Sequence, residues 1–199
     1  MTRRCRSSLP AALADLQTRF PYQFQQWSPI RDGLALDQRP GWHGLFAELC
    51  EDVHRILSPV ERLTFSWLAV SARFGAMRCY FAGELNPEVV QAVKEAEQRS
   101  ATHCEICGNG ATLRRFGDDW ATRCVRHGME LAARTLLIRE QRLSRCHEGQ
   151  IERRLAQWMM TPDPRWGGQP PQVLAATALG ATLLLELLML QLEPGLPLH

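Results

Sequence analysis

Lysine is nearly missing from this chain: of 23 basic side chains, Lys94 is the single lysine and the others are arginine. That preference is compositional and assigns no partner. Charge of one sign is missing as well. With 21 acidic side chains the net charge is +2, which excludes a whole-chain polycation for nucleic acid and a chain swollen by self-repulsion. No long apolar run precedes Asp15 in MTRRCRSSLPAALADL, so no secretory signal is expected there. Gly-x-Ser-x-Gly, P-loop and dinucleotide fingerprints are absent too, and nothing in the sequence argues for catalysis. What is present is 45% hydrophobic content over 199 residues, enough for one domain with an appendage or for two small ones. The seven cysteines are odd in number and three stand at metal spacing, which points to a reducing cytoplasm.

Helical periodicity dominates. Ser7 or Ser8 caps a first helix with Pro10 in its first turn, and Leu9, Leu13, Leu16 and Phe20 follow at spacings of four and three until Pro21 ends it. A loop through Pro29, Gly33 and Pro40 leads to a second helix with Trp42, Leu45, Phe46, Leu49, Val53 and Ile56 on one face, closed by Ser58-Pro59. From Val60 to Val70 strand and helix compete, Gly75 breaks the pattern, and Met77 to Phe81 reads as a strand. Asn86-Pro87-Glu88 starts a helix with Val89, Val90, Val93 and Ala96 as its stripe, since Asn caps, Pro suits the first position and the acid meets the positive dipole end. Helices are expected from Val125 to about Arg145, from about Glu148 to Met160 with Ile151, Leu155, Trp158 and Met159 on one side, and from Val173 to Leu192. Between the last two, Thr161 to Pro171 is a Pro- and Gly-rich loop.

Two pairs, Cys104-x-x-Cys107 and Cys124-x-x-His127, stand sixteen residues apart. Zinc takes four soft or borderline ligands in a tetrahedron, and each tight turn supplies two of them. Gly108 and Gly110 let the chain curl back, and Thr112 to Arg123 with Gly117-Asp118-Asp119 at its centre reads as a hairpin that brings the second pair over the first. Four protein ligands leave no site for water, so a structural Zn2+ is expected, with His103 a solvated neighbour. Cys50 and Cys79 read as small core residues, Cys5 and Cys146 have no partner spacing, and His147 points away from Cys146 on a helix. Arginines 114, 115, 123, 126, 134, 139, 142, 145, 153 and 154 form either a phosphate-binding region or a solvated face paired with Glu130, Glu140, Glu148 and Glu152.

Pro40-Gly41-Trp42-His43, Leu49-Cys50, Arg73-Phe74-Gly75, Met77-Arg78-Cys79-Tyr80 and Cys104-Glu-Ile-Cys107-Gly resemble a family of small bacterial and prophage proteins. Its pattern is PGWY…LC…KEKFGxLRFY…CExCG, ending in a Cys-x-x-His pair. The resemblance covers residues 20–130 and implies a zinc fold without an assigned activity. Leu155-Ala-Gln-Trp158, Thr161-Pro-Asp-Pro164, Gly167-Gly168-Gln169-Pro170-Pro171, Leu174, Thr177, Gly180 and Leu192-Glu-Pro-Gly195 resemble the toxin-binding domain of Xre/MbcA/ParS-type antitoxins. That resemblance covers about 45 residues and implies dimerisation and blockade of an NAD-consuming RES-type toxin. Here Trp166 replaces the usual Leu, and no helix-turn-helix domain precedes the motif.

The expected fold is α+β, mostly α-helical, with a zinc-ribbon-like hairpin module inserted between helices and a C-terminal helical domain of the toxin-binding kind. The expected divisions are 1–100, a helical region with a short strand segment; 101–146, the zinc module and following helix; and 147–199, the partner-binding domain. Val173 to Leu190 carries only Glu186 as a charge and, at 18 residues, falls short of the roughly 20 apolar residues of a membrane span. It is expected to be buried against this chain's own core or against a partner. Trp158, Arg165, Trp166, Gly167, Gly168, Gln169, Pro170, Leu184 and Leu188 are the expected partner surface, with self-association through the same helices. The functional expectation is a non-enzymatic, antitoxin-like protein that neutralises a protein partner. The alternatives are a phage or prophage inhibitor of a host defence system and a nucleic-acid-binding zinc protein using residues 114–154.

Overall fold

The computed structural model describes residues 13–27, 34–141 and 148–192. It is mixed helix and strand, mostly helical, with two small two-stranded sheets. The chain divides into two compact units, one up to Leu113 and one from Arg114 onward. The expected cap at Ser7 or Ser8, the positions of Leu9, Pro10, Pro29, Gly33, Arg142 and Arg145, and the closing Pro194-Gly195 lie outside the described residues.

In the first unit, α1 (Ala14–Arg19) stops at Phe20, where Pro21 opens a 3-10 turn, Pro21–Phe24. A short α2 (Leu34–Asp37) falls within the Pro- and Gly-rich loop. A second 3-10 turn, Pro40–Trp42, then enters α3 (His43–Ile56), which buries Leu45, Phe46, Leu49, Cys50 and Val53 as the periodicity requires. The ambiguous stretch after Val60 becomes a 3-10 turn, Glu61–Leu63, followed by β1 (Ser66–Arg73). The strand wins there because it pairs antiparallel with β2 (Ala76–Ala82), and a register shift between Trp67 and Ala69 puts Trp67 and Val70, three residues apart, on the same core-facing side. Arg73 and Ala76 close the hairpin over Phe74 (φ 50) and Gly75 (φ 71), positive at both central positions. In α4 (Pro87–Ser100), the Asn86 side-chain oxygen accepts from the amides of Glu88 at 2.9 Å and Val89 at 3.4 Å, as the sequence anticipates.

These elements meet on Gln23, which has no exposed surface. Its side-chain nitrogen donates to the Cys50 carbonyl at 2.8 Å and to the Tyr22 hydroxyl at 3.1 Å. Its side-chain oxygen accepts from the Trp67 indole at 2.9 Å. One amide thereby ties the first 3-10 turn to α3 and to β1, with every polar atom of the carboxamide used. Phe46, Phe65 and Phe81 surround Trp67 with ring centroids 5.1–6.0 Å away.

The second unit contains the end of β3 (Thr112–Phe116), β4 (Asp119–Arg123), α5 (Val125–Gln141), α6 (Glu148–Met160), α7 (Pro171–Ala175) and α8 (Ala178–Leu192). Gly128 and Ala132 let α5 approach α8 closely: a Cβ at Gly128 would lie 3.3 Å from Leu185. Ile151 of α6 is fully buried, while Leu155, Trp158 and Met159 pack as partly buried side chains against the core. The expected single helix from Val173 to Leu192 is instead two. Thr177 separates them, its hydroxyl accepting from the Gly180 amide at 3.0 Å and its carbonyl from Ala181 at 2.9 Å, which starts α8 afresh. Gly180 is needed at that start, because a Cβ there would sit 2.2 Å from the Leu174 carbonyl oxygen. Among the described residues no helix is long and apolar enough to cross a membrane.

Two outcomes follow from the first unit. Gln23→Ala should lower stability by roughly 2–4 kcal/mol in urea denaturation, because it orphans the Trp67 indole and removes the second bond to the Cys50 carbonyl in a buried site; a loss below about 0.5 kcal/mol would refute the role given to Gln23. Phe74→Asn should raise stability by ~0.5–1 kcal/mol, since Asn tolerates the left-handed conformation that a 75% exposed Phe adopts without packing in return.

Candidate metal centre

Cys104 and Cys107 stand on a turn that follows α4. The Cys104 amide donates to the Asn109 carbonyl at 2.7 Å and the Gly108 amide to the Cys104 carbonyl at 2.8 Å, so the chain folds back on itself between the two thiols. Gly108 supplies the left-handed residue this needs, at φ 75. An isolated bridge between His103 and Gly110 closes the turn's base. The His103 Nδ1 donates to the Arg99 carbonyl at 2.7 Å, and His103 is not one of the clustered ligand residues. Cys124 immediately precedes α5 and His127 lies in its first turn, with the Gly128 amide donating to the Cys124 carbonyl at 2.7 Å.

The ligand atoms of Cys104, Cys107, Cys124 and His127 all lie within 4.8 Å of one another, so the two spaced pairs form one cluster that could hold a metal ion. A tetrahedral ion with metal–sulfur bonds of ~2.3 Å spaces neighbouring sulfurs by about 3.8 Å, and the cluster accommodates that. Cys124 Sγ and His127 Nδ1 are 3.2 Å apart, which makes Nδ1 the nitrogen on the ligand side. Burial holds the His127 imidazole below its ordinary value; Glu130 opposes this, and Arg123 and Arg126 reinforce it. The ring is therefore neutral at physiological pH, the form with a lone pair to donate. Cys104 is buried, Cys124 and His127 are half-buried, and Cys107 is exposed. Burial pushes the thiols of Cys50 and Cys79 far up, which fits their reading as core residues. Cys5, Cys146 and His147 lie outside the described residues.

The residues expected at a partner surface divide. Trp166 is 8% exposed, Leu184 1% and Leu188 3%, and all three belong to the chain's own core. Trp166 turns inward because the 3-10 turn Pro164–Trp166 is fixed by Asp163, whose carboxylate accepts from the Arg165 amide at 2.9 Å and from its guanidinium at 2.6 Å. Arg165 holds the Asp163 carboxyl below the usual carboxylate range. Arg165, Gly167, Gly168 and Gln169 are exposed, and Trp158 and Pro170 half-buried. Gly167 and Gly168 follow at φ 66 and φ 77 with open space where their Cβ atoms would be, so they serve the turn and leave main chain uncovered. Two supports of the cluster escape a spacing argument: Arg39, whose Nε donates to Glu105 at 2.5 Å, and Gly41, whose amide donates to the Glu105 carbonyl at 2.9 Å.

The purified chain should take up one equivalent of a thiophilic divalent ion, and a Cys104→Ser/Cys124→Ser variant should lose it, read by metal analysis after dialysis. Protons compete for three thiolates and one imidazole, so affinity should fall as pH falls. Because burial holds the folded His127 below its ordinary value, its share of that loss should set in at lower pH than for a free imidazole. Retention of metal unchanged at pH 4, or in the double variant, would refute the assignment. Compared with protein-family models, curated proteins and solved structures, the chain matches none of them.

Proposed function

We propose that this chain is a non-enzymatic, zinc-stabilised binding protein of a reducing cytoplasm, whose C-terminal helices engage and neutralise a protein partner as the antitoxins it resembles do. The outer row of α8 carries this reading. Leu179, Leu183, Leu187 and Leu190 follow at spacings of four, four and three and are 72%, 55%, 42% and 49% exposed, while Leu184, Leu185, Leu188 and Leu192 of the same helix line the core. A helix apolar on all sides is at ease only when something covers its outer side as well. Glu186, held by Arg114 at 2.7 Å, is the charge beside the row. The exposed Arg165, Gly167, Gly168 and Gln169 add a polar rim, with Trp158 and Pro170 behind it. Self-association of the chain through the same row belongs to this reading, and a RES-type toxin is the first candidate partner; a host-defence protein met by a phage inhibitor is the same chemistry with another partner.

Zinc suits the cluster because three thiolates and an imidazole are its usual structural donor set, and four protein ligands close the tetrahedron to water. Its role is then to hold the hairpin, in zinc-ribbon fashion, and not to activate a substrate. The alternative of nucleic-acid binding through residues 114–154 is weakened by local pairing. Arg114 meets Glu186, Arg115 Asp118, Arg126 Glu130 and Arg134 Glu152.

A Leu183→Asp/Leu187→Asp variant tests the reading, because both side chains are exposed and the fold should survive within about 1 kcal/mol. It should lose self-association in size-exclusion chromatography and weaken binding to a co-expressed RES-type toxin at least ~100-fold, with loss of growth rescue. Wild-type rescue by the double variant would sink the antitoxin-like reading. Duplex DNA binding that weakens steeply with salt would put the arginine-rich region in its place.

A further inference from the structure

Gly41 occupies a place with no room for a side chain. A Cβ on its backbone would stand 2.0 Å from the Cys104 carbonyl oxygen, 2.5 Å from the Gly108 amide nitrogen and 2.8 Å from the Glu105 carbonyl carbon. All three are main-chain atoms of the turn that carries Cys104 and Cys107, so none can rotate aside. The fit is mutual, since a Cβ at Gly108 would lie 3.2 Å from the Gly41 carbonyl oxygen. Hydrogen bonding follows the same contact. The Gly41 amide donates to the Glu105 carbonyl at 2.9 Å, and Arg39 Nε donates to the Glu105 carboxylate at 2.5 Å, where the Glu105 side chain is only 2% exposed. The supporting segment is itself anchored. Trp42 is fully buried in the first core, its amide donates to the Arg39 carbonyl at 3.0 Å, the Arg39 guanidinium lies 5.5 Å from its ring, and His43 Nε2 donates to the Leu36 carbonyl at 2.8 Å.

We propose that the segment Arg39–Gly41 is the positioning element of the metal centre: it presses the Cys104–Gly108 turn into its ligand-ready shape and thereby sets metal affinity. This rests on the metal-binding reading of the cluster. A turn held in shape before the ion arrives loses less conformational freedom on binding, and outer-shell changes of this kind typically cost 10–100-fold in affinity. Gly41→Ala forces the turn away from its support by at least the overlap with the Cys104 carbonyl. Arg39→Gln leaves the backbone in place and removes only the charge opposite Glu105.

The test is cobalt titration of the apo full-length chain, followed by zinc competition. Wild type should give the intense tetrahedral ligand-field bands and the thiolate-to-cobalt charge transfer of a three-sulfur site. Gly41→Ala should bind zinc 10–100-fold more weakly and show altered ligand-field bands. Gly44→Ala, a glycine with nothing within 4 Å of its Cβ, is the control and should match wild type. Should Gly41→Ala fail to fold by circular dichroism, Arg39→Gln carries the test with a several-fold loss that Arg39→Lys recovers in part. Wild-type spectra and affinity in both Gly41→Ala and Arg39→Gln would overturn the positioning role while leaving the metal reading intact. A wild-type chain that takes neither cobalt nor zinc would overturn the metal reading itself, and the positioning role with it.

Discussion

The buried carboxamide of Gln23 is the constraint on which the first unit is built. A primary amide in an apolar interior is tolerable only if both its ends are used, and here the ends reach α3, β1 and the adjoining tyrosine at once. That requirement fixes the Trp67 indole, and Trp67 in turn orders the aromatic layer from α3 to β2. Trp42 is buried in this same core, so the position of the Pro40–Trp42 turn is inherited from it. The cysteine turn resting on Gly41 is therefore placed by a chain of contacts that begins at a residue with no chemical role of its own.

The motif Pro40-Gly41-Trp42-His43 divides its labour accordingly. Pro40 starts the 3-10 turn, Gly41 permits main chain to lie on main chain, Trp42 anchors, and His43 ties back to the Leu36 carbonyl. Each residue type answers a different physical demand, which explains why four such dissimilar side chains stand together.

Local rules made much of this legible. Asn86-Pro87-Glu88 announces α4 because capping acts within one turn, α6 begins and ends where its periodicity does, and the two ligand pairs are visible because each pair sits on one turn. What stayed hidden acts over distance. Gln23 stands between Tyr22 and Phe24, and nothing local marks a glutamine there for burial, since its partners are 27 and 44 residues away. Gly41 meets Cys104 across an even longer gap. Trp166 looked like a surface anchor because a Pro- and Gly-rich loop is ordinarily solvated, yet the Asp163–Arg165 pairing turns the ring inward. The break at Thr177 is masked by uniformly apolar neighbours, in which a single hydroxyl decides where one helix stops and another starts.

Burial at Cys50 and Cys79 has a consequence for the reactivity of the whole chain. Two of the five cysteines among the described residues are sealed in the core with thiols held firmly protonated, and a protonated thiol is a poor nucleophile. Thiol-directed reagents approaching the described surface are therefore left with the cluster, and first with Cys107, the exposed member. A coordinated thiolate has its lone pair engaged. Alkylation at that sulfur then becomes a gauge of occupancy, slow when the cluster is filled and quick when it is empty.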